Sequence, residues 1–69
     1  MNEIEITANG VARRVKEGIT LAALLTSLDL PLARVAVEHN GRIVPKERLN
    51  EVVLSAGDRL EVVTLVGGG

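Results

Sequence analysis

Residues 60–66 read LEVVTLV, a nearly continuous apolar run in which Glu61 is the only charged residue. A strand that is buried on both sides of a sheet reads as such a run, whereas a strand with one solvated face alternates apolar and polar residues. The sequence therefore predicts that residues 59–66 form the last strand of the fold, and that this strand lies in the middle of a sheet.

Two segments near the amino terminus predict a β-hairpin. Residues 3–7, EIEIT, alternate between polar and apolar side chains, which is typical of a half-buried strand. Asn9 and Gly10 follow, and both tolerate the positive φ angles of a tight two-residue turn. Residues 11–15, VARRV, then return as a solvent-facing partner strand, which we expect at an edge of the sheet.

A single amphipathic helix is predicted after this hairpin. Thr20 is placed to accept a hydrogen bond from an amide of the first helical turn. Pro31 prevents the helix from continuing past Leu30. An apolar stripe with the spacing i, i+3, i+4 and i+7 is typical of a helix face in a core, and it consists of Leu21, Leu24, Leu25 and Leu28.

The second half of the chain predicts further short strands. Residues 34–45, RVAVEHNGRIVP, contain a strand, an Asn40-Gly41 turn and a short fourth strand that Pro45 stops. Residues 46–54 fit either a helical turn or a loop, and residues 55–58, SAGD, predict another turn.

The resulting order, β-β-α-β-(β)-β, places one helix across a mixed sheet in an α+β fold. This is the ubiquitin-like β-grasp architecture, with four to five strands, in which the last strand is central and parallel to the first. The sequence predicts one such domain over residues 1–66 and a flexible glycine tail over residues 67–69.

Composition argues against several classes of partner. The 69 residues include no aromatic side chain for stacking on bases, and a net charge of −1 without a basic stripe does not favour nucleic acid. No apolar run approaches the roughly 20 residues that would span a bilayer. We therefore expect a soluble cytoplasmic protein that binds neither nucleic acid nor membrane.

The titratable side chains do not suggest an enzyme. His39 is the only histidine, cysteine is absent, and nothing at ligand spacing accompanies His39, so we expect no metal site and interpret it as a solvated loop residue. Glu47 and Glu51 are interpreted as solvated charges. No phosphate-binding loop or other cofactor motif occurs, and we expect no bound cofactor.

The carboxyl terminus, TLVGGG, allows two interpretations. Three glycines after a strand can be a tail without a function, or they can carry the terminal carboxylate into a narrow site on another protein. If Leu60 and Val62 face the helix, then Val63 and Leu65 face the opposite side as exposed apolar groups, which commonly mark a contact site. The alternative is that Leu65 folds back over the edge of the sheet.

Residues 35–69, VAVEHNGRIVPKERLNEVVLSAGDRLEVVTLVGGG, resemble the carboxyl-terminal half of the ThiS family, the sulfur-carrier proteins of thiamine thiazole biosynthesis. The matching elements are the strand VAVE, the pattern NG..VP.E, the pair GD and the terminal Gly-Gly. The amino-terminal half agrees in length and order of elements, so the resemblance covers the whole chain.

This resemblance implies that the Gly69 carboxylate is the reacting group. It implies adenylation with ATP on an E1-like adenylyltransferase, sulfur from a cysteine desulfurase, and transfer from the resulting thiocarboxylate to thiazole synthase. Gly67 and Gly68 would give the tail its reach. We also expect an apolar docking set of Val63, Leu65 and Val66, with Arg59 or Arg42 adding a polar rim.

Three other functions fit the same sequence features. The small subunit of molybdopterin synthase is a carrier of the same fold and thiocarboxylate chemistry. A ubiquitin-like interaction module would dock on a partner and carry nothing. A covalent modifier would be joined to lysines through Gly69.

Overall fold

The computed structural model describes residues 2–65, which form a five-stranded sheet, one α-helix and two 3₁₀ turns. The order of the strands across the sheet is β2-β1-β5-β3-β4. In chain order the elements are β1 (Glu3–Ala8), β2 (Val11–Lys16), α1 (Leu21–Ser27), a 3₁₀ turn (Leu32–Arg34), β3 (Val35–His39), β4 (Arg42–Val44), a second 3₁₀ turn (Lys46–Arg48) and β5 (Arg59–Thr64).

The last strand is the central strand of the sheet, as the sequence predicted. β5 runs parallel to β1, where Thr7 lies opposite Arg59 and Ala8 opposite Leu60. On its other side β5 runs antiparallel to β3. The mixed sheet and the single helix confirm the predicted α+β class and the ubiquitin-like β-grasp architecture, with five strands.

Both predicted Asn-Gly turns close two-residue hairpins. Asn9 and Gly10 have φ angles of 51° and 81°, and Asn40 and Gly41 have angles of 52° and 87°. Positive φ at both central residues defines a type I′ turn, whose twist matches the twist of the flanking strands. The first turn places β2 at one edge of the sheet, as expected, and the second places β4 at the other.

The side chain of Asn9 extends the short parallel contact between β1 and β5. Its Nδ2 donates to the carbonyl of Val62 at 3.0 Å, and its Oδ1 accepts from the amide of Val62 at 2.8 Å. The Asn9 amide also donates to the carbonyl of Leu60 at 2.9 Å. Beyond the end of β1, this side chain thus replaces a backbone partner for β5.

Helix α1 begins as predicted but ends earlier than Pro31. Thr20 Oγ1 accepts from the amide of Ala23 at 3.1 Å, which is the expected cap. At the other end Asp29 adopts a φ of 61°, and the amide of Leu30 donates to the carbonyl of Leu25 at 3.0 Å. This Schellman-type pattern satisfies carbonyls of the last turn and stops the helix before proline acts.

Residues 46–54, for which the sequence left two possibilities, form one 3₁₀ turn followed by a loop that is anchored to the start of the helix. The amides of Leu21 and Ala22 donate to the carbonyls of Val52 and Leu49 at 2.8 and 2.9 Å. The loop therefore satisfies amides of the first helical turn that have no partner within the helix. Two side chains of this segment, Leu49 and Leu54, are buried in the core.

The core lies between the helix and one face of the sheet. The predicted stripe is buried at Leu21, Leu24 and Leu25, and Leu28 is half-buried at the helix end. Together with Ile6 and Leu60, Leu21 and Leu25 are at most 1% exposed. Within residues 2–65, no helix has the length and apolar character needed to cross a membrane.

Replacing Thr20 with alanine tests the helix cap. We expect Thr20→Ala to lower the free energy of unfolding by about 1 kcal/mol, because the Ala23 amide loses its acceptor. Thr26→Ala is the matched control, since Thr26 is an exposed helical residue and alanine is the better helix former. Urea denaturation of both variants measures the difference, and equal losses would contradict the capping role.

Candidate partner-docking surface

The face of the sheet opposite the helix carries exposed apolar side chains. Strand alternation places Leu60 and Val62 toward the helix and Glu61 and Val63 away from it. On this open face Val63 is 58% exposed and Leu65 is 48% exposed, as the sequence predicted. The Leu65 amide still donates to the carbonyl of Arg34 at 2.7 Å, so the pairing with β3 continues up to Leu65.

Ile43 also belongs to this surface, although the sequence pattern did not predict its exposure. It is 77% exposed and lies directly opposite Glu38 in the pairing of β3 with β4. A strand of three residues is too short to show an alternation pattern by itself. The Asn40-Gly41 turn contained the missing signal, because a two-residue turn fixes the register and assigns Ile43 to the same face as Glu38.

The two arginines predicted for a polar rim occupy different places. Arg42 lies opposite His39 and shares its face with Val44, which packs against the core, so Arg42 lies on the helix side of the sheet. Arg59 shares the open face with Val63 but lies at the other end of β5 from Leu65. Both arginines are exposed, and their contact with a partner stays a prediction.

The remaining predicted site residues, Val66, Gly67, Gly68 and Gly69, lie outside the described residues. The last described residue before them is Leu65, immediately after β5. The docking role of Val63 and Leu65, like the reactive role of Gly69, is taken up below as a proposal.

The prediction that His39 is a solvated loop residue is wrong. His39 is the last residue of β3, and its Nε2 lies 2.8 Å from Oδ2 of Asp58, with the two side chains 24% and 11% exposed. The contact arises because β3 and β5 pair, which brings residues 19 positions apart together. Local spacing could not reveal it.

Asp58 is held by three donors in a buried position. Besides His39, the Ser55 amide donates to Oδ2 at 2.8 Å and Asn40 Nδ2 donates to Oδ1 at 3.1 Å. Burial by itself raises the pKa of the Asp58 carboxyl, but the bonds from His39, Ser55 and Asn40 outweigh burial, so this pKa lies below its ordinary value. These contacts join the Asn40-Gly41 turn and the end of β3 to the turn at residues 55–58, so we interpret the cluster as structural.

Among the described residues, no group of three His, Cys, Asp and Glu side chains is arranged to hold a metal ion. The described residues also present an open apolar face beside the last strand. The fold, with one helix across a mixed five-stranded sheet, is that of the small ubiquitin-like proteins.

Comparison with known proteins identifies the family. The model of the ThiS family matches residues 2–69, and the chain belongs to this family. The sulfur carrier protein ThiS of Bacillus subtilis is 44% identical over 54 residues, which are 78% of this chain and 82% of that protein. The crystal structure of the thiamine biosynthesis protein ThiS from Geobacter metallireducens superposes with a TM-score of 0.80 at 30% identity, covering 96% of this chain and 100% of the other.

Some relatives are much longer than this chain. A thiazole synthase of Paramagnetospirillum magneticum is 39% identical over 66 residues, which are 96% of this chain but 20% of that protein. The chain therefore spans about a fifth of the length of this relative. A second thiazole synthase, from Magnetococcus marinus, shows the same coverage at 38% identity.

Replacing Asp58 with asparagine tests the buried cluster. We expect Asp58→Asn to lower the free energy of unfolding by about 1–3 kcal/mol at neutral pH, because an amide nitrogen would replace one acceptor that the His39 and Ser55 donors require. Asp29→Asn is the control, since Asp29 is exposed and its φ of 61° suits asparagine.

The pH dependence gives a second check on the same variant. Because the pKa of Asp58 is lowered in the folded state, its contribution is present above the ordinary value of 3.8 and is lost as the pH falls through the folded-state pKa. The difference in unfolding free energy between wild type and Asp58→Asn should therefore shrink as acid is added. A difference that stays constant down to full protonation would contradict the assignment.

Proposed function

We propose that this protein is a sulfur carrier of thiamine thiazole biosynthesis. The observation that carries the proposal is the family match over residues 2–69, which includes the terminal Gly-Gly. In this role the chain is a protein co-substrate and not a catalyst. Its chemistry belongs to the Gly69 carboxylate, because the sequence contains no cysteine thiol that could hold sulfur instead.

The proposed reaction begins with activation of this carboxylate. An E1-like adenylyltransferase binds ATP, a Gly69 carboxylate oxygen attacks the α-phosphorus, and pyrophosphate leaves. The product is an acyl-adenylate, whose AMP is a good leaving group. We place this step in the cytoplasm, because it consumes ATP, and the carrier itself needs no bound cofactor.

Sulfur then replaces oxygen at the same carbon. A persulfide supplied through a cysteine desulfurase attacks the acyl carbon, AMP leaves, and an acyl disulfide forms. A second thiol cleaves the S–S bond, which leaves a thiocarboxylate on Gly69 and a disulfide on the donor side. The thiocarboxylate sulfur is then transferred to thiazole synthase, the name that two of the longer relatives bear.

The geometry of β5 suits a carrier of this kind. Backbone hydrogen bonds anchor the chain as far as Leu65, whose amide bonds to the carbonyl of Arg34. The four residues 66–69 extend at most about 14 Å when fully stretched. A partner that binds the open face near Val63 and Leu65 therefore needs its reactive centre within that distance of Leu65, and docking there positions the carboxylate.

The match to the ThiS family favours thiamine biosynthesis over molybdopterin biosynthesis as the destination of the sulfur. A docking module that carries nothing would need the same folded body but not the terminal carboxylate. A covalent modifier would need the carboxylate but would form an amide with lysine. The chemical state of Gly69 after reaction distinguishes these functions.

Intact-mass spectrometry tests the carrier function directly. Incubation with ATP, the adenylyltransferase, the desulfurase, cysteine and a reducing thiol should increase the mass by the difference between one sulfur and one oxygen atom. A variant that lacks Gly69 should keep its fold and remain unmodified. An unchanged mass with an active adenylyltransferase, or conjugation to lysine, would contradict the proposal.

Two valines of nearly equal exposure test the docking surface. Val63 and Val11 are 58% and 57% exposed and both lie in strands, but only Val63 lies beside the start of the terminal segment on the open face. Val63→Ala should raise the dissociation constant for the adenylyltransferase by about 5-fold, the effect of roughly 1 kcal/mol of lost contact. Val11→Ala should leave it unchanged, and equal effects would contradict docking through this face.

A further inference from the structure

Two glutamates face each other across the centre of the open face. Glu38 of β3 and Glu61 of β5 are directly opposite in the register, and both side chains are exposed. Directly opposite residues have Cβ atoms about 5 Å apart, and like charges at that separation destabilise a sheet. The free protein thus contains an unfavourable contact between its central strand β5 and the neighbouring β3.

No cation of the described residues neutralises this pair. The ion pairs within residues 2–65 are Arg14–Glu3 and His39–Asp58. Arg59 is two positions before Glu61 on the same face, yet it makes no ion pair within 4.0 Å. Across β4 the residue opposite Glu38 is the uncharged Ile43. Both carboxylates therefore remain available to a cation from another molecule.

The same glutamates border an apolar depression. It has a volume of about 140 Å³ and is lined by Ala36, Val37, Glu38, Ile43, Glu61 and Val63. An arginine side chain has an apolar stem that packs on such surfaces and a planar head with five donors, which can bond to two carboxylates at once. The depression combines both kinds of contact in one place.

We propose that this depression receives an arginine of thiazole synthase when the carrier docks to deliver sulfur. The guanidinium would bond to Glu38 and Glu61, and its stem would lie against Ile43 and Val63. This inference rests on the proposed function, and it adds the chemistry by which the partner is recognised. Charge complementarity supports it, because binding a cation removes a repulsion that the free carrier must bear.

Thiazole synthase is the partner favoured by the longer relatives. In two proteins with that name, a segment similar to this chain belongs to the same polypeptide. In those relatives the effective concentration of the two parts is high, so a shallow and exposed contact between them is sufficient. A contact between exposed charges contributes modest affinity, which suits a carrier that must also leave.

Charge removal should affect binding and stability in opposite directions. Glu61→Gln and Glu38→Gln should each raise the dissociation constant for purified thiazole synthase by about 5-fold, measured by calorimetry at low salt. Each should also raise the thermal midpoint of the free carrier, because the repulsion between the two carboxylates is gone. A weakened complex therefore does not reflect a damaged fold.

The double variant and a matched control sharpen the test. If both carboxylates bind one guanidinium, the double variant should lose less than the product of the two single effects. Glu47→Gln removes one exposed charge from the 3₁₀ turn outside the sheet and should leave the dissociation constant unchanged. The differences between variants should shrink at high salt.

The competing outcomes are separable. Equal binding of thiazole synthase by Glu61→Gln and Glu47→Gln would overturn the inference. Two other results would overturn it as well: weaker binding of the adenylyltransferase alone, and a dimer of the carrier that dissociates in the Glu61→Gln variant. Glu61→Gln should still acquire sulfur in the mass measurement. Failure of the wild type to acquire sulfur would refute the proposed function itself, whereas unaltered synthase binding by the sulfur-competent variants would refute only this inference.

Discussion

The position of β5 between β1 and β3 is the constraint on which the rest of the structure depends. One face of this strand contributes Leu60 to the core beneath the helix, and the other contributes Val63 to the exposed surface. In the sequence, Leu65 and Val66 separate this strand from the terminal glycines. Residues 59–65 therefore serve both the core and the proposed docking face, and a change in their placement would also move the start of the segment that ends at Gly69.

Acidic residues have contrasting roles at the two faces of this strand. Asp58 is 8% exposed and accepts from His39, Asn40 and the Ser55 amide, so its negative charge is satisfied inside the protein. Burial without such donors would cost more than the charge contributes. Glu38 and Glu61 are exposed opposite each other without a described cation partner. The bonds to Asp58 stabilise the fold, whereas Glu38 and Glu61 remain available to bond to a cation of another molecule.

Local patterns predicted much of the fold, and contacts distant in sequence supplied what they missed. The Asn-Gly turns, the Thr20 cap and the central last strand each depend on residues within a short window or on the apolar content of one strand. The His39–Asp58 contact exists only after β3 and β5 have paired. Ile43 lies in a strand too short to show periodicity. The helix end was misplaced because Asp29, a residue less common than glycine in the left-handed conformation, ends the helix before Pro31.

The remaining contacts of β5 must therefore hold this strand in its pairing register. A slip of one residue would exchange the two faces of the strand, placing Val63 under the helix and Leu60 in solvent, and would move the chain end by about 3.3 Å. Direct backbone pairing of β5 covers five residue pairs with β3 but only two with β1, so the β1 side resists such a slip less. Asn9 adds two side-chain bonds to Val62, and Asn40 Oδ1 accepts from the Arg59 amide at 2.8 Å. Since each of these amide side chains belongs to a turn that ends a neighbouring strand, the turns that close the hairpins also hold the central strand in place.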